Sequence, residues 1–464
     1  MTDAHIKAWL PDLIYNGATF DSGVALTADA NGRILNLGSS AHSPAITPLK
    51  NRALLPGLIN AHSHAFQRTI RGRTEHRTQN KSDSFWTWRE MMYSAATRLG
   101  PEDLYDASRM AFLEMALSGI TTVGEFHYLH HDLRGNAYDD PNLLAKEVIR
   151  AALDVGLRIA LLRVAYARSG YGLQPNEQQT RFIEDDPGVY LKRVEELRSE
   201  VDGTDRAWVG VAPHSVRAVP LDYLKQVIQF AGRNGLVVHM HVAEQPAEVL
   251  ASQKEYGLSP VALLDSQGLL SEQFTAVHAI HVTNSEIAAL SAAGANVCAC
   301  PTTERNLGDG ILQVQDFFAS SVKVCLGSDS HIEIDLLEDA RELEYHLRLQ
   351  KLERSILAPA SSSRSSLAQR LFTCATEYGA KSLGSTGGKL SPDSPADFFT
   401  VNLDDPSIAG TPPEDLLSSI VFSLSRTAVR DVVVGGKTIV KNGHHPDQDE
   451  IVERFKLLQK RLWG

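Results

Sequence analysis

The chain has 464 residues, of which 43% are hydrophobic and 22% charged, so a large folded core is expected and general disorder is excluded. Its formal charge of −11, from 45 basic and 56 acidic residues, argues against a nucleic-acid-binding protein with a broad basic surface. The sequence contains neither a long apolar run typical of a membrane-spanning helix nor a basic and apolar leader at its N-terminus. We therefore expect a cytoplasmic protein with no nucleic-acid or membrane partner.

The first 53 residues are typical of short strands joined by turns, because Asn16-Gly17 and Asn31-Gly32 favour hairpins. The end of the chain has the same character, with short apolar runs around Gly435-Gly436. Neither end contains enough strands for a stable sheet of its own. We therefore predict that residues 1–53 and 387–464 pair into one small composite β-sandwich domain.

Between these ends, short apolar runs alternate with helix-like segments, which predicts an α/β fold. The runs are apolar throughout, as in strands whose two faces are both buried. Eight such units predict a (β/α)8 TIM barrel over residues 54–386. A doubly wound sheet is disfavoured because no Gly-x-Gly-x-x-Gly turn follows a strand. The predicted strands are residues 54–60, 121–126, 158–165, 208–212, 236–242, 274–282, 295–300 and 322–327, and the main predicted helices are residues 102–118, 142–155, 189–201, 221–233, 285–293 and 336–354.

The four cysteines contain no Cys-x-x-Cys pair, so a cysteine zinc site is not expected. Three of them lie in strand-like apolar runs, which favours reduced thiols buried in the core. They are Cys298, Cys300, Cys325 and Cys374.

Polar residues gather where the catalytic groups of a TIM barrel lie, at the carboxyl ends of its strands. His62 and His64 follow the first strand and point to the same side of an extended chain. This spacing is weak evidence alone, because loop or core histidines are common. His241 on the fifth strand and Asp329 after the eighth would complete three histidines and a carboxylate, an open site for Zn²⁺ or, as second choice, iron. The alternative for Asp329 is a helix cap.

Further titratable residues follow other strands of the predicted barrel. Glu244 lies just beyond His241, where it can reach a metal-bound water; the alternative is a solvent-facing carboxylate at a helix start. His278 and His281 cannot be distinguished by spacing. We interpret His239 as a hydrogen-bonded core histidine. The other histidines are expected to support the ligands or to lie in loops: His127, His130, His131 and His331.

Several of these segments together resemble the amidohydrolase superfamily, specifically its mononuclear-metal deaminases. The residues that carry this resemblance are the run 55–64, His241-x-x-Glu244, His278 and Asp329. Longer strings resemble the formimidoylglutamate deiminases within it. These strings are residues 62–68, 83–89, 125–132, 212–217, 241–245 and 300–304.

The resemblance implies one divalent metal ion, a homodimer and a small anionic substrate. It also implies hydrolysis of N-formimino-L-glutamate to N-formyl-L-glutamate and ammonia, a step of histidine degradation. The implied metal ligands are His62, His64, His241 and Asp329; the implied catalytic residues are Glu244, His278 and Asp329; the implied substrate contacts are Gln67, Arg89, Tyr128, His214 and Arg217.

Two arginines suit a substrate with two carboxylates, because a planar guanidinium matches a carboxylate bidentately. Arg217 after the fourth strand and Arg89 after the first are the candidates, although an arbitrary arginine is more often exposed. We interpret residues 85–88 as an aromatic-rich loop, which either covers the site or packs on the barrel rim. A deaminase of a nucleobase such as guanine is the nearest alternative. An inactive scaffold is disfavoured because the full ligand set is present.

Overall fold

The computed structural model describes residues 6–39, 46–78, 83–174, 176–360 and 363–464, which form a parallel barrel and a second sheet built from both chain ends. The strands of the second sheet that precede the barrel are β1 (Lys7–Tyr15), β2 (Phe20–Asp21), β3 (Val24–Ala28), β4 (Ile34–Ser39) and β5 (Ile46–Pro56). The barrel strands are β6 (Leu58–Ser63), β7 (Ile120–His127), β8 (Arg158–Ala165), β9 (Ala207–Pro213), β10 (Val238–Val242), β11 (Phe274–His278), β12 (Asn296–Ala299) and β13 (Lys323–Leu326). The second sheet is completed by β14 (Phe398–Asn402), β15 (Val429–Val434) and β16 (Lys437–Val440).

Most of the helices connect successive barrel strands. They are α1 (Phe85–Ala96), α2 (Pro101–Leu117), α3 (Leu143–Val155), α4 (Pro187–Val201), α5 (Leu221–Asn234), α6 (Pro246–Tyr256), α7 (Pro260–Ser266), α8 (Asn284–Ala292), α9 (Pro301–Leu307), α10 (Val314–Ala319), α11 (Leu336–Lys351), α12 (Ser366–Cys374), α13 (Glu377–Ser382), α14 (Pro413–Ser423) and α15 (Gln448–Trp463). Short 3₁₀ helices lie at Ala65–Ile70, Glu177–Gln179 and Arg426–Ala428.

The barrel strands pair in parallel in chain order from β6 to β13, which confirms the predicted TIM barrel. Backbone hydrogen bonds join the two ends: the Asp329 amide donates to the His62 carbonyl (3.0 Å), and the His64 amide donates to the Asp329 carbonyl (3.1 Å). Gly327 permits this approach, because a Cβ at that position would lie 2.6 Å from the His62 Cβ. Barrel closure therefore brings predicted ligands from the first and last strands together.

The sixth barrel strand is shorter than predicted, ending at His278 rather than at residue 282. His278 and Ala279 have φ angles of 69° and 51°, which lie in the left-handed region and cannot continue an extended strand. An apolar pattern does not reveal such a backbone turn, so the sequence overestimated the length of this strand.

The composite β-domain predicted from the two chain ends is confirmed. Strand β14 pairs antiparallel with β5, aligning Phe398 with Pro56, and β1 pairs parallel with β5. The strands form one continuous sheet that curls around an apolar core, where the rings of Trp9 and Phe398 lie 5.1 Å apart. Curling brings the two edge hairpins together: a Cβ on Gly32 would lie 2.1 Å from the Gly435 carbonyl oxygen.

Two helices near the end of the chain were not predicted. Helix α15 returns to the barrel and packs on α2, with an ion pair between Arg109 and Glu450 (2.8 Å). Helix α14 packs on α11 and α12. The division of the chain at residues 53/54 and 386/387 therefore stays a prediction, since residues 387–464 contribute both to the second sheet and to the layer of helices.

The four cysteines are buried and form no disulfide with one another, which confirms the prediction that they lie in the core. Within the described ranges, no helix is both long and apolar enough to cross a membrane.

Candidate metal centre and active site

Four predicted ligands converge at the carboxyl ends of β6, β10 and β13. One donor atom from each of His62, His64, His241 and Asp329 lies within 4.8 Å of all the others, and all four residues are buried. The Nε2 atoms of His62 and His64 lie 3.4 Å and 3.3 Å from Asp329 Oδ1, and the Nε2 atoms of His62 and His241 lie 3.2 Å apart. The arrangement brings three imidazole nitrogens and one carboxylate to a single point.

Backbone carbonyls orient two of these imidazoles. His64 Nδ1 lies 2.9 Å from the Phe126 carbonyl oxygen, and His241 Nδ1 lies 3.2 Å from the His214 carbonyl oxygen. Because a carbonyl only accepts, each Nδ1 carries the proton and each Nε2 turns a lone pair toward the cluster. Burial lowers the pKa of His62 to about 3 and also lowers those of His64 and His241. Neutral imidazoles and an ionised carboxylate fit a divalent cation such as Zn²⁺.

Several residues at this end of the barrel have backbone conformations that are rare outside glycine. Ala243, His278 and Asp329 have φ angles of 51°, 69° and 45°. Such conformations cost about 1–3 kcal/mol each, and they concentrate at functional sites where the surrounding structure imposes them. Here they turn the chain sharply at the strand ends, so that the side chains of His278 and Asp329 face the cavity.

A buried polar network supports the ends of β6 and β13. Ser63 Oγ donates to Glu125 Oε2 (2.5 Å) and lies 3.1 Å from His331 Nε2. The Ala65 amide donates to the other oxygen of Glu125 (2.7 Å), and His331 Nδ1 contacts Ser328 Oγ (3.1 Å). Burial raises the pKa of Glu125 to about 8, against the opposing effect of these hydrogen bonds. The network holds the backbone on either side of His62 and His64 in place.

His278 lies beside the ligand cluster and is surrounded by carboxylates. Its Nε2 is 3.8 Å from Glu244 Oε1 and 3.9 Å from Asp329 Oδ2, while its Nδ1 is 3.2 Å from Glu304 Oε1. Burial opposes ionisation of His278, but Glu244, Glu304 and Asp329 raise its pKa to about 10. Burial raises the pKa of Glu244 as well. This arrangement can hold and move protons next to the cluster.

Glu304→Gln tests whether this charge arrangement controls activity. The Glu304 carboxylate stabilises the protonated form of His278, so its loss lowers the pKa of His278 and deprotonates the imidazole at lower pH. We expect the alkaline limb of the kcat/KM profile to move down by about one pH unit or more. The measurement is a pH–rate series for both proteins, and an unmoved alkaline limb would contradict this role of Glu304.

The predicted site residues share one cavity above the ligand cluster. His62 lies directly beneath it, fully buried against His64 and His241. The lining residues are His64, Gln67, Phe85, Trp88, Arg89, Met92, Tyr93, Tyr128, Tyr166, Phe182, His214, Arg217, His241, Glu244, His278, Leu307 and Asp329. The structure thus brings the predicted ligands, catalytic residues and substrate contacts together, while their roles stay predictions.

The aromatic segment at residues 85–88 is the beginning of α1 rather than a loop. Ser84 caps this helix, accepting a hydrogen bond from the Trp86 amide (3.3 Å), and its own amide donates to Thr87 Oγ1 (3.0 Å). Helical spacing places one face of α1 along the cavity wall. The residues on that face are Phe85, Trp88, Arg89, Met92 and Tyr93.

Arg89 and Arg217 lie at the end of the cavity lined by α1 and by the loop after β9. Arg89 is buried and Arg217 is partly buried. Among the described residues, no carboxylate oxygen lies within 4.0 Å of either guanidinium, and Glu248 acts on Arg217 only from further away. Since buried charges are normally paired, two unpaired guanidiniums in one cavity favour an anionic ligand.

The structure distinguishes histidines that spacing could not. His278 faces the cavity, whereas His281 Nε2 contacts the Asp309 carbonyl oxygen (2.9 Å). His239 lies deeper and contacts the Ser382 carbonyl oxygen (2.9 Å), in agreement with its interpretation as a core histidine. Four further histidines lie outside the cavity lining, namely His127, His130, His131 and His331.

Some residues that support the site were not predicted. Glu304 lies one turn into α9, within the segment 300–304 that carries part of the family resemblance, but only the fold brings it to His278. Glu125 on β7 also lies in one of these strings, 125–132, and only the fold brings its carboxylate to the Ala65 amide. Tyr93 and Tyr166 line the cavity without any sequence signal that would separate them from core tyrosines.

Residues 53–439 match the amidohydrolase family. A formimidoylglutamate deiminase of Pseudomonas aeruginosa is 37% identical over 404 residues, covering 87% of this chain and 88% of the relative. A 5-methylthioadenosine/S-adenosylhomocysteine deaminase of Natronomonas pharaonis is 27% identical over 420 residues, covering 90% of this chain and 88% of the relative.

Solved structures with the same fold include an amidohydrolase from Brucella melitensis, with a TM-score of 0.90 and 32% identity over 99% of this chain and 100% of that chain. An adenosine deaminase from Xanthomonas campestris with bound zinc superposes with a TM-score of 0.82 at 22% identity, covering 98% of each chain. At that identity the second likeness concerns the fold alone.

Proposed function

Because this chain belongs to the amidohydrolase family and is a hydrolase acting on C–N bonds, we propose that its substrate is N-formimino-L-glutamate, which it converts to N-formyl-L-glutamate and ammonia. The observation that carries the proposal is the pair of unpaired guanidiniums, Arg89 and Arg217, in the same cavity as the predicted metal ligands. In this proposal the formimino carbon of the substrate lies beside the predicted metal ligands, and its two carboxylates lie beside the two arginines. The relative from Pseudomonas aeruginosa supports the same substrate.

We propose one divalent metal ion, zinc with iron as second choice, held by His62, His64, His241 and Asp329. Such a cation would act as a Lewis acid and would lower the pKa of a coordinated water from 15.7 toward about 7. The donor set supports this choice, because its imidazoles are neutral and two of them are oriented by backbone carbonyls.

Three residues move protons in the proposed reaction. Asp329 accepts a proton from the attacking water at Oδ2, the oxygen that faces His278. Glu244, whose pKa is raised by burial, donates a proton to the nitrogen that leaves. Protonated His278, held by Glu304, donates a hydrogen bond to the oxygen that adds to the formimino carbon. Asp329 then passes its proton to the same nitrogen, the C–N bond breaks as ammonia leaves, and the proton of the added hydroxyl group returns to Glu244. Water thus supplies the oxygen of the formyl group and the two protons that the leaving nitrogen gains.

The remaining predicted contacts orient the substrate. Gln67 Nε2 donates to the Tyr128 hydroxyl (2.9 Å), and both side chains line the cavity near the ligand cluster. Burial, together with the positive charges of Arg217 and Arg89, lowers the pKa of His214, so this imidazole is neutral. We propose that Gln67, Tyr128 and His214 contact the part of the substrate between its formimino group and its carboxylates. The two arginines bind the carboxylates.

The test is ammonia release by the zinc-loaded protein from N-formimino-L-glutamate, guanine and 5-methylthioadenosine measured side by side. We expect turnover of the formimino compound alone, and loss of that turnover in protein stripped of metal by a chelator. Turnover of a purine with none of the formimino compound would favour the nucleobase alternative. Failure to bind zinc would favour an inactive scaffold.

We also propose that the protein acts as a cytoplasmic homodimer in histidine degradation.

A further inference from the structure

Two tyrosines and a buried amide to which the proposed reaction gives no role lie next to Arg89 on the cavity wall. Gln179 is 2% exposed, and its Nε2 donates to the hydroxyls of Tyr93 (2.7 Å) and Tyr166 (2.5 Å). Arg89 Nη2 donates to the same Tyr166 hydroxyl (3.2 Å). The Arg89 guanidinium also lies over the ring of Tyr93, 5.1 Å from its centre. A buried amide thus links two tyrosines and an arginine on one wall of the cavity.

Hydrogen-bond accounting indicates where the Tyr166 proton points. A phenol oxygen accepts about two hydrogen bonds and donates one. Gln179 and Arg89 both donate to the Tyr166 oxygen, so they occupy its lone pairs. Arg217 and the Tyr93 hydroxyl also hydrogen-bond with Tyr166, and Tyr93 is the donor of its pair because the contact raises the pKa of Tyr93. These neighbours all donate, so the Tyr166 proton remains for a further acceptor. Tyr166 is 1% exposed and lines the cavity, so an acceptor can come only from the protein interior or from a bound ligand.

The ligand class follows from the charges around this hydroxyl. The wall combines guanidinium donors from Arg89 and Arg217 with the phenol donor of Tyr166. A carboxylate offers about four lone-pair sites and a negative charge, so it can satisfy several donors at once. A neutral amide or carbonyl would leave the guanidinium charges unpaired.

We propose that Tyr166 is a further substrate-binding residue, whose hydroxyl donates to the substrate carboxylate held by Arg89 and Arg217. Gln179 is a positioning residue, because its amide holds the Tyr166 lone pairs and so directs the hydroxyl proton into the cavity. This inference deepens the proposed function and rests on it for the identity of the substrate.

The test compares Tyr166→Phe with the wild-type protein in its zinc-loaded form. We expect KM for N-formimino-L-glutamate to rise about ten- to hundredfold, since one hydrogen bond to a charged group is lost, while kcat changes little because the carboxylate is remote from the reacting carbon. Binding of glutarate, measured by calorimetry without turnover, is expected to weaken by a similar factor. Gln179→Leu keeps the Tyr166 hydroxyl but not its orientation, so a smaller rise in KM is expected.

Tyr223→Phe is the matched control. Tyr223 is buried, its hydroxyl donates to the Glu184 carbonyl (3.1 Å), and it lies outside the cavity lining. This variant loses a buried hydrogen bond of similar kind, so its stability is expected to fall while KM and glutarate binding stay unchanged. If Tyr166→Phe does not fold, Gln179→Leu provides the same comparison.

The outcomes separate this inference from the proposed function. Wild-type turnover with an unchanged KM in Tyr166→Phe would overturn the role of Tyr166 and leave the function standing. Glutarate binding that depends on Tyr166, without turnover of N-formimino-L-glutamate, would overturn the function and support the carboxylate subsite. Absence of glutarate binding to the wild-type protein would overturn the subsite.

Discussion

Asp329→Asn is expected to lower kcat by about 1,000- to 10,000-fold while the protein stays folded. Asparagine keeps the shape of the side chain and one oxygen beside His62 and His64, but it cannot accept a proton from the attacking water. The loss therefore falls mainly on turnover. The measurement is kcat for N-formimino-L-glutamate together with the zinc content per chain, which separates loss of the base from loss of the metal.

Asp339→Asn is the matched control for this experiment. Asp339 is fully buried and lies outside the cavity lining; it accepts a hydrogen bond from the Thr302 amide (3.0 Å). Burial raises the pKa of Asp339 well above its usual range, so its carboxyl group is neutral and asparagine is a close replacement. We expect nearly full activity. Near-normal turnover by Asp329→Asn itself would refute the proposed proton acceptor.

The second large effect is expected at the two arginines. Arg217→Lys and Arg89→Lys each keep the positive charge but lose the planar pair of donors that matches a carboxylate. We expect each substitution to raise KM about ten- to hundredfold, with a smaller effect on kcat. The measurement is steady-state kinetics with N-formimino-L-glutamate. With an analogue in which the side-chain carboxylate is an amide, the loss should be smaller for whichever arginine holds that carboxylate.

Arg109→Lys controls for the general cost of replacing a buried arginine. Arg109 pairs with Glu450 between α2 and α15 and lies outside the cavity lining. Its replacement is expected to lower thermal stability slightly and to leave KM unchanged. An unchanged KM in both cavity variants would remove the arginines from substrate binding and with them the main support for the proposed substrate.

The sequence by itself determined the barrel, the composite β-domain and the segments that contain the site. Buried parallel strands are mainly apolar, and polar residues gather where these strands end. His62 and His64 could be paired because neighbouring positions along one strand keep a fixed geometry. His241, Glu244 and Asp329 could be added because each directly follows or ends a strand. These are local patterns, and the spacing of apolar and polar residues along a segment indicates its secondary structure.

Only the tertiary structure decided the contacts between distant segments. Left-handed backbone at His278 selects it over His281, and no apolar pattern indicates such a turn. Glu304, in α9 after β12, reaches His278 at the end of the neighbouring strand β11, and α1 brings Arg89 beside Tyr166, which is 77 positions further along the chain. Arg89 and Arg217 become candidates for anion binding because, among the described residues, the fold leaves both without an ion-pair partner in one cavity. Charge pairing and desolvation depend on which side chains meet in space, and a single sequence does not contain that information.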